Sequence, residues 1–187
     1  MSLLLAFQGS PNAPPPALIL KALLVLGDRT SEGTLIRGVA EPWFKILELI
    51  QKDPDAIYRI EPRAWEEIIA GAYDEAGFDE VILTPRSGDK GRDVIATKRG
   101  VGSIRIFDQV KAYRPGHVVT AEEVRAMIGV ITVDQNVSKG VITTTSEFAP
   151  RLRDDPSIKP LIPYRLELKA RDTLLSWLDE LSKDRAK

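Results

Sequence analysis

Three polar side chains in the middle of the chain could carry out chemistry together. Asp93 begins a β-branched run, and Gln109 and Lys111 stand two residues apart in a second such run. Neighbouring residues of a strand point to opposite faces, so Gln109 and Lys111 share one face while Asp108 and Val110 point the other way. A carboxylate, an amide oxygen and an ammonium group can therefore converge on one point.

Oxygen donors of this kind suit a hard divalent cation. Mg²⁺ takes its ligands from one or two carboxylates, from carbonyl groups and from the phosphate of a substrate. A lysine beside such an ion can orient a water molecule or stabilise charge on a phosphate. An aspartate followed at a distance by Gln-x-Lys also occurs by chance, so a turn aspartate with an exposed edge lysine is the alternative interpretation.

Two strands joined by a hairpin would position these side chains. The apolar and β-branched runs cover residues 94–96 and 104–110, and the segment between them, residues 98–102, contains two glycines. Such runs on either side of a Gly-containing loop predict paired antiparallel strands. The pairing would place the start of the first strand beside the end of the second.

An ordered series of motifs extends over about residues 60–150. Its members are Glu61-Pro62-Arg63-Ala64-Trp65-Glu66-Glu67, Gly77-Phe78, Thr84-Pro85, Gly88-Asp89-Lys90-Gly91-Arg92-Asp93, Gln109-Val110-Lys111-Ala112-Tyr113, Val124-Arg125, Gly129 and Gly140-Val141-Ile142-Thr143-Thr144-Thr145-Ser146. Together they resemble the catalytic domain of Mrr-type restriction endonucleases, which belong to the PD-(D/E)XK nuclease superfamily. The resemblance implies an α/β fold with a mixed central β-sheet flanked by helices.

The resemblance also implies roles for four residues. Glu66 matches the helix glutamate of the family, although spacing alone does not separate it from Glu67. Asp93 matches the metal-binding aspartate, and Gln109 with Lys111 matches the (E/Q)-x-K pair. Glutamine at the first position is a known family variant, and it removes one negative ligand.

From this resemblance we expect a Mg²⁺-dependent endodeoxyribonuclease of restriction type, with Mn²⁺ able to substitute. Asp93, the Gln109 side chain and the Val110 carbonyl would hold the metal, Lys111 would activate or position the water, and Glu66 would act through a second metal or a water. Cleavage of both strands of double-stranded DNA needs two sites, which predicts a homodimer or a larger assembly. A non-catalytic DNA-binding module, or a defence component that needs a partner, is the alternative.

The charge around the motif is locally positive. Between Arg86 and His117 there are eight basic and three acidic residues, whereas the whole chain has a net charge of -1. A basic surface around an acidic site suits a phosphodiester substrate, although solvated loop charges are the alternative. The residues predicted to contact DNA are Lys90, Arg92, Arg114, Arg125, Thr144 and Ser146. For Arg125, pairing with an acid is an equal alternative, and β propensity also explains the threonine run.

Composition excludes several other kinds of site. The chain has 187 residues, no cysteine and one histidine, which excludes disulfides, cysteine nucleophiles and multi-histidine metal centres. No apolar run approaches the length of a membrane span, and the lack of cysteine fits a cytoplasmic protein, so we expect that location and no membrane contact.

The length allows one domain with an accessory segment. We predict a helical N-terminal extension over residues 1–58, with helices at 17–26 and 42–52 joined by a turn-rich connector over 27–38, and a catalytic domain over 59–187. In that domain we predict a helix from Pro62 ending at Gly77, a strand at 78–84, and a helix capped by Thr120 and Glu123. A buried strand at 141–145, a last strand at 163–168 and a helix capped by Asp172 follow.

Overall fold

A computed structural model of the protein describes residues 23–85 and 91–184. The strands are β1 (Leu24–Arg29), β2 (Thr34–Val39), β3 (Glu80–Leu83), β4 (Val94–Gly100), β5 (Gly102–Lys111), β6 (Lys139–Thr144) and β7 (Leu166–Lys169). The α-helices are α1 (Glu41–Lys52), α2 (Pro62–Glu75), α3 (Ala121–Val133) and α4 (Arg171–Asp184), and short 3-10 helices cover Pro54–Arg59, Leu152–Asp154 and Lys159–Leu161. Within these ranges, no helix is both long enough and apolar enough to cross a bilayer.

The seven strands form one mixed sheet whose spatial order follows the chain, from β1 to β7. Neighbours from β1 to β5 are antiparallel, whereas β6 is parallel to both β5 and β7. The predicted hairpin of β4 and β5 is confirmed, with Val94 opposite Asp108 at its open end and Gly100 opposite Gly102 at its turn. A mixed central sheet flanked by helices is the fold class that the sequence predicted.

The two faces of the sheet carry separate hydrophobic clusters. One lies against α1, α2 and α4, and it contains Trp43, Trp65 and Val94. The other lies against α3 and contains Phe107 and Met127. Since side chains alternate along a strand, β5 sends alternate residues to α2 and to α3.

The helix ends follow local sequence signals. Pro62 is at the start of α2, and Gly77, with a φ of 77°, lies just beyond its end, so both predicted ends are confirmed. Thr120 caps α3 in a capping box, with its Oγ1 accepting from Glu123 N at 3.3 Å. The last helix begins at Arg171, so Asp172 lies in its first turn and the prediction that it is the cap was wrong.

The N-terminal segment differs from the prediction. The helix expected over 17–26 is wrong for residues 24–26, which begin β1, and residues 17–22 lie outside the described ranges. The connector expected over 27–38 is also wrong, because these residues complete β1 and form most of β2. Thr34 and Leu35 of β2 pair with β3, so a partner more than forty residues away organises a stretch whose composition is typical of a turn. The helix predicted at 42–52 is confirmed as α1.

The boundary that we predicted between residues 58 and 59 remains a prediction. Residues on both sides of it share one hydrophobic cluster. Trp43 of α1, Trp65 of α2 and Leu174 of α4 are all buried there. The Trp43 indole also donates to the Ile68 carbonyl at 3.1 Å, which ties α1 to α2.

Candidate active site

Asp93 lies where β4 and β5 part from each other. Its backbone N–H donates to Asp108 O at 2.9 Å, one residue before the first paired residue of β4. Beyond the last backbone pair of β4 and β5, the Asp93 side chain bonds to β5 instead, since Oδ2 accepts a hydrogen bond from Val110 N at 2.7 Å. The half-buried carboxylate is therefore held directly against the Gln109–Lys111 segment.

Thr84 holds the backbone of Asp93 from the opposite side. Thr84 N donates to Asp93 O at 3.0 Å, and Thr84 Oγ1 donates to Asp93 O at 3.1 Å and to Arg92 O at 2.8 Å. Thr84 is only 1% exposed, so these bonds are shielded from competing water. Asp93 is thus anchored from both neighbouring strands.

Glu66 connects to the same anchor through Arg63. The Glu66 carboxylate forms an ion pair with Arg63 Nη1 one turn earlier on α2, and the same Nη1 donates to Thr84 O at 3.0 Å. Both side chains are about one-fifth exposed. The structure therefore links Glu66 to the residue that holds Asp93, a connection that spacing alone did not reveal.

The oxygen donors at this point fit a hard cation by their chemistry. Asp93 contributes a carboxylate. The Gln109 amide lies beside Gly91, two residues before Asp93, since a β-carbon added at Gly91 would be 3.8 Å from Gln109 Nε2. In an antiparallel strand the N–H and C=O of one residue face the same edge, so the Val110 carbonyl faces the edge that Asp93 caps. Among the residues described, no group of three or more His, Cys, Asp or Glu side chains is placed so that it could hold a metal ion. The three residues predicted as ligands would supply one carboxylate and neutral oxygens, a combination that Mg²⁺ accepts when phosphate and water complete its shell.

Lys111 lies beside a glutamate that the sequence pattern indicates only as part of a helix cap. Lys111 Nζ lies 3.4 Å from Glu123 Oε1, which also accepts a hydrogen bond from Tyr113 Oη. Burial acts to raise the pKa of Glu123, but hydrogen bonds from Thr120 and Tyr113 and the Lys111 charge lower it to about 2. Burial and the bond to Glu123 raise the pKa of Tyr113 to about 12. The Thr120-x-x-Glu123 pattern predicted the helix cap, but it did not predict that Glu123 contacts Lys111.

The other face of β5 carries Asp108, which the alternation excluded from the predicted ligand set. Asp108 is fully buried, and its Oδ2 accepts from Tyr73 Oη of α2 and from Thr143 Oγ1, both at 2.9 Å. Burial raises its pKa to about 6, against the opposing charge of Lys169 and these two hydrogen bonds. Asp108 and Lys111 therefore face different layers of helices.

Arg92, which was predicted to contact DNA, lies in an ion network. Its guanidinium pairs with Asp134 at 3.2 Å and with Glu32 at 3.7 Å, and it stacks 4.6 Å from the centre of the Phe107 ring. The side chain is 13% exposed. The β1–β2 turn, which carries Glu32, is thereby tied to the residue before Asp93.

The remaining predicted DNA contacts are dispersed. Arg125 forms the ion pair that was one of its two alternatives, with Asp155 at 2.8 Å. Thr144 and Ser146 are buried, and Thr144 Oγ1 donates to Lys111 O at 2.9 Å, which secures the end of β5. Arg114 is exposed and lines a cleft of about 620 Å³ that adjoins this strand end. Lys90 lies outside the described residues.

Comparison with known proteins identifies similar chains. Residues 57–178 match the Mrr_cat family, which is described as restriction endonuclease. The uncharacterized protein y4cE of Sinorhizobium fredii (strain NBRC 101917 / NGR234) is 32% identical over 104 residues, which cover 55% of this chain and 26% of that relative.

Two solved structures are also similar. The MspJI restriction endonuclease in complex with a 27-mer oligonucleotide has a TM-score of 0.47 at 19% identity, with 78% of this chain and 36% of that chain covered. The DNA modification-dependent restriction endonuclease AspBHI has a TM-score of 0.45 at 16% identity, with 88% and 44% covered. The chain thus spans about a quarter of the curated relative and less than half of either structure.

Proposed function

The chain belongs to the Mrr-type restriction endonuclease family, and from that membership we propose that it is a Mg²⁺-dependent endodeoxyribonuclease of restriction and defence type. Its substrate is double-stranded DNA, in which it hydrolyses phosphodiester bonds, and Mn²⁺ can replace Mg²⁺. The observation that carries the proposal is the hydrogen bond from Val110 N to Asp93 Oδ2 at 2.7 Å, because it joins the aspartate to the Gln-x-Lys segment inside the matched region.

Asp93, the Gln109 side chain and the Val110 carbonyl are the proposed metal ligands. A divalent ion bound there would lower the pKa of a water molecule and neutralise charge on the phosphate. Asp93 can serve this role with little rearrangement, because Thr84 and Asp108 hold its backbone in place. Such preorganisation is what an electrostatic site requires.

Lys111 and Glu66 are the proposed catalytic residues beside these ligands. The Lys111 ammonium donates hydrogen bonds to the attacking water or to a phosphate oxygen, and its side chain is about one-fifth exposed, which limits competition from bulk water. Glu66, anchored by Arg63, accepts a hydrogen bond from a water near Asp93. The exposed Arg114 contacts the DNA backbone, and a homodimer or larger assembly presents two sites to the duplex.

Cleavage of supercoiled plasmid by the purified protein tests this proposal. We expect nicking and linearisation with Mg²⁺ or Mn²⁺ and none with EDTA. Asp93→Asn keeps an oxygen that can accept from Val110 N while it removes the charge, and Lys111→Gln removes the ammonium. Each should slow cleavage by about 10²-fold or more, since electrostatic groups at a reacting centre contribute that much.

Lys45→Gln and Glu122→Gln are the matched controls, because both side chains are exposed and neither residue is assigned to the site. They should cleave at about the native rate. Thermal unfolding of all four variants establishes that they are folded. Native rates in folded Asp93→Asn would refute the assignment of the site, and DNA retardation by the native protein without any cleavage would favour the non-catalytic binding module instead.

A further inference from the structure

The Lys111 ammonium is paired with an acid that comes from a helix and not from its own strand. Gln109, which shares the face of β5 with Lys111, is uncharged, so the strand offers the lysine no carboxylate at that position. Glu123, in the first turn of α3, supplies one at 3.4 Å. The two side chains are 21% and 24% exposed, which makes their attraction stronger than that of a surface pair.

The two oxygens of Glu123 have separate partners. Oε2 accepts from Thr120 N at 2.9 Å and from Thr120 Oγ1 at 3.0 Å, and these bonds belong to the cap of α3. Oε1 accepts from Tyr113 Oη and faces Lys111 Nζ. Because Oε2 is anchored at the helix end, the carboxylate cannot rotate Oε1 away from the lysine without breaking the cap.

The strand end that carries Lys111 is held as well. Thr144 Oγ1 donates to Lys111 O at 2.9 Å, and Thr145 N donates to the same oxygen at 3.2 Å. Thr145 Oγ1 donates to Tyr113 O at 2.7 Å. A lysine side chain otherwise has several rotatable bonds and loses conformational entropy when it is held. Here the backbone below the side chain and the carboxylate beside its tip are both in place.

We propose that Glu123 is a positioning residue for Lys111, holding the ammonium in the direction from which it meets the attacking water or the phosphate. This inference rests on the nuclease function proposed above and adds to it a residue from outside the Gln-x-Lys motif. Glu123 acts through Lys111 and does not itself touch the reacting atoms.

Glu123→Gln, with Glu122→Gln as its matched control, tests the inference. Both variants lose one carboxylate charge in the first turn of α3, but Glu122 is exposed, and the glutamine at 123 retains an oxygen for Thr120. In single-turnover cleavage with Mg²⁺ we expect Glu123→Gln to be slower by on the order of 10- to 100-fold, the effect of misplacing a catalytic group. DNA affinity, measured with Ca²⁺ in place of Mg²⁺, should stay within about threefold of native, and Glu122→Gln should match the native protein in both assays.

Nuclear magnetic resonance of the lysine ammonium groups gives a readout that is independent of cleavage. The Lys111 signal is assigned by its loss in Lys111→Gln. An ammonium held by a carboxylate exchanges its protons slowly with water, so we expect the signal in the native protein and in Glu122→Gln and its broadening or loss in Glu123→Gln. A native protein that does not cleave DNA would count against the proposed function, while this spectrum would still decide whether Glu123 holds Lys111.

Should Glu123→Gln fail to fold, Glu123→Asp serves as the second variant. It keeps the charge, but a carboxylate shortened by one methylene and anchored at Thr120 cannot also reach Lys111, so slow cleavage and loss of the signal are again expected. Either variant with native cleavage and an unchanged Lys111 signal overturns the proposal. Slow cleavage with the signal retained also overturns it, because Glu123 would then act by another route.

Discussion

A methyl group added at Gly71 tests how α1 docks on α2, the helix that carries Glu66. A β-carbon at Gly71 would lie 2.4 Å from Trp43 Nε1, 2.9 Å from Trp43 Cδ1 and 2.9 Å from Val39 Cγ1. Trp43 is fully buried, and its indole donates to Ile68 O at 3.1 Å. Gly71→Ala therefore has to displace the indole ring from the carbonyl that it binds.

Three contributions determine the size of the effect. Overpacking a buried site costs about 1–3 kcal/mol. Weakening the indole hydrogen bond adds about 1 kcal/mol to this loss of stability, and the higher helix propensity of alanine offsets about 1 kcal/mol of it. We therefore expect the free energy of unfolding of Gly71→Ala to fall by about 1–3 kcal/mol.

Urea unfolding followed by circular dichroism and tryptophan fluorescence measures this change. The matched control is Gly129→Ala in α3, where a β-carbon meets no atom within 4 Å. That substitution should raise the free energy of unfolding by up to about 1 kcal/mol, since it gains helix propensity without a clash. Equal stabilities of the two variants would show that α1 does not pack against Gly71 and that the Trp43 indole does not fill this part of the core.

Two further predictions concern pH. Burial raises the pKa of Asp108 to about 6, so the folded state binds this proton more tightly than the unfolded state. The free energy of unfolding, measured with urea, should therefore rise by roughly 1 kcal/mol as pH falls from about 8 to 5. Asp108→Asn should lack this rise, and a parallel pH profile in the variant would contradict the assignment. For Glu123, where hydrogen bonds and the lysine charge outweigh burial and lower the pKa to about 2, the stabilisation is present above about pH 4.5 and is lost as pH falls toward 2. The stability difference between native protein and Glu123→Gln should therefore shrink over that range, and a constant difference would disprove the linkage.

Local signals in the sequence predicted the central elements well. Alternation placed Asp108 opposite to Lys111, and the structure puts one against Tyr73 of α2 and the other against Glu123 of α3. Proline and glycine marked the ends of α2, and the Thr120-x-x-Glu123 pattern marked the start of α3. Each of these signals acts within a few residues, where backbone geometry is decided locally.

Local signals in the sequence did not predict the β1–β2 hairpin. Its residues include Gly27, Gly33 and Gly38 with several polar side chains, a composition that is typical of a connector. It becomes a strand pair because β2 aligns with β3, and because Gly33 lets the turn pack against the Leu83 carbonyl, where a β-carbon would lie 2.3 Å away. Pairing with a distant strand outweighed local propensity.

The sequence by itself determined which residue types stand at which intervals: the aspartate before a strand, the Gln-x-Lys pair on one face, and the glutamate three residues after a capping threonine. Only the tertiary structure decided which of them meet. Asp93 reaches Val110, Glu66 reaches Thr84 through Arg63, and Lys111 reaches Glu123 because strand register and helix docking bring distant segments together. Intervals along a strand or helix follow from backbone geometry, whereas contacts between elements depend on how their buried faces pack.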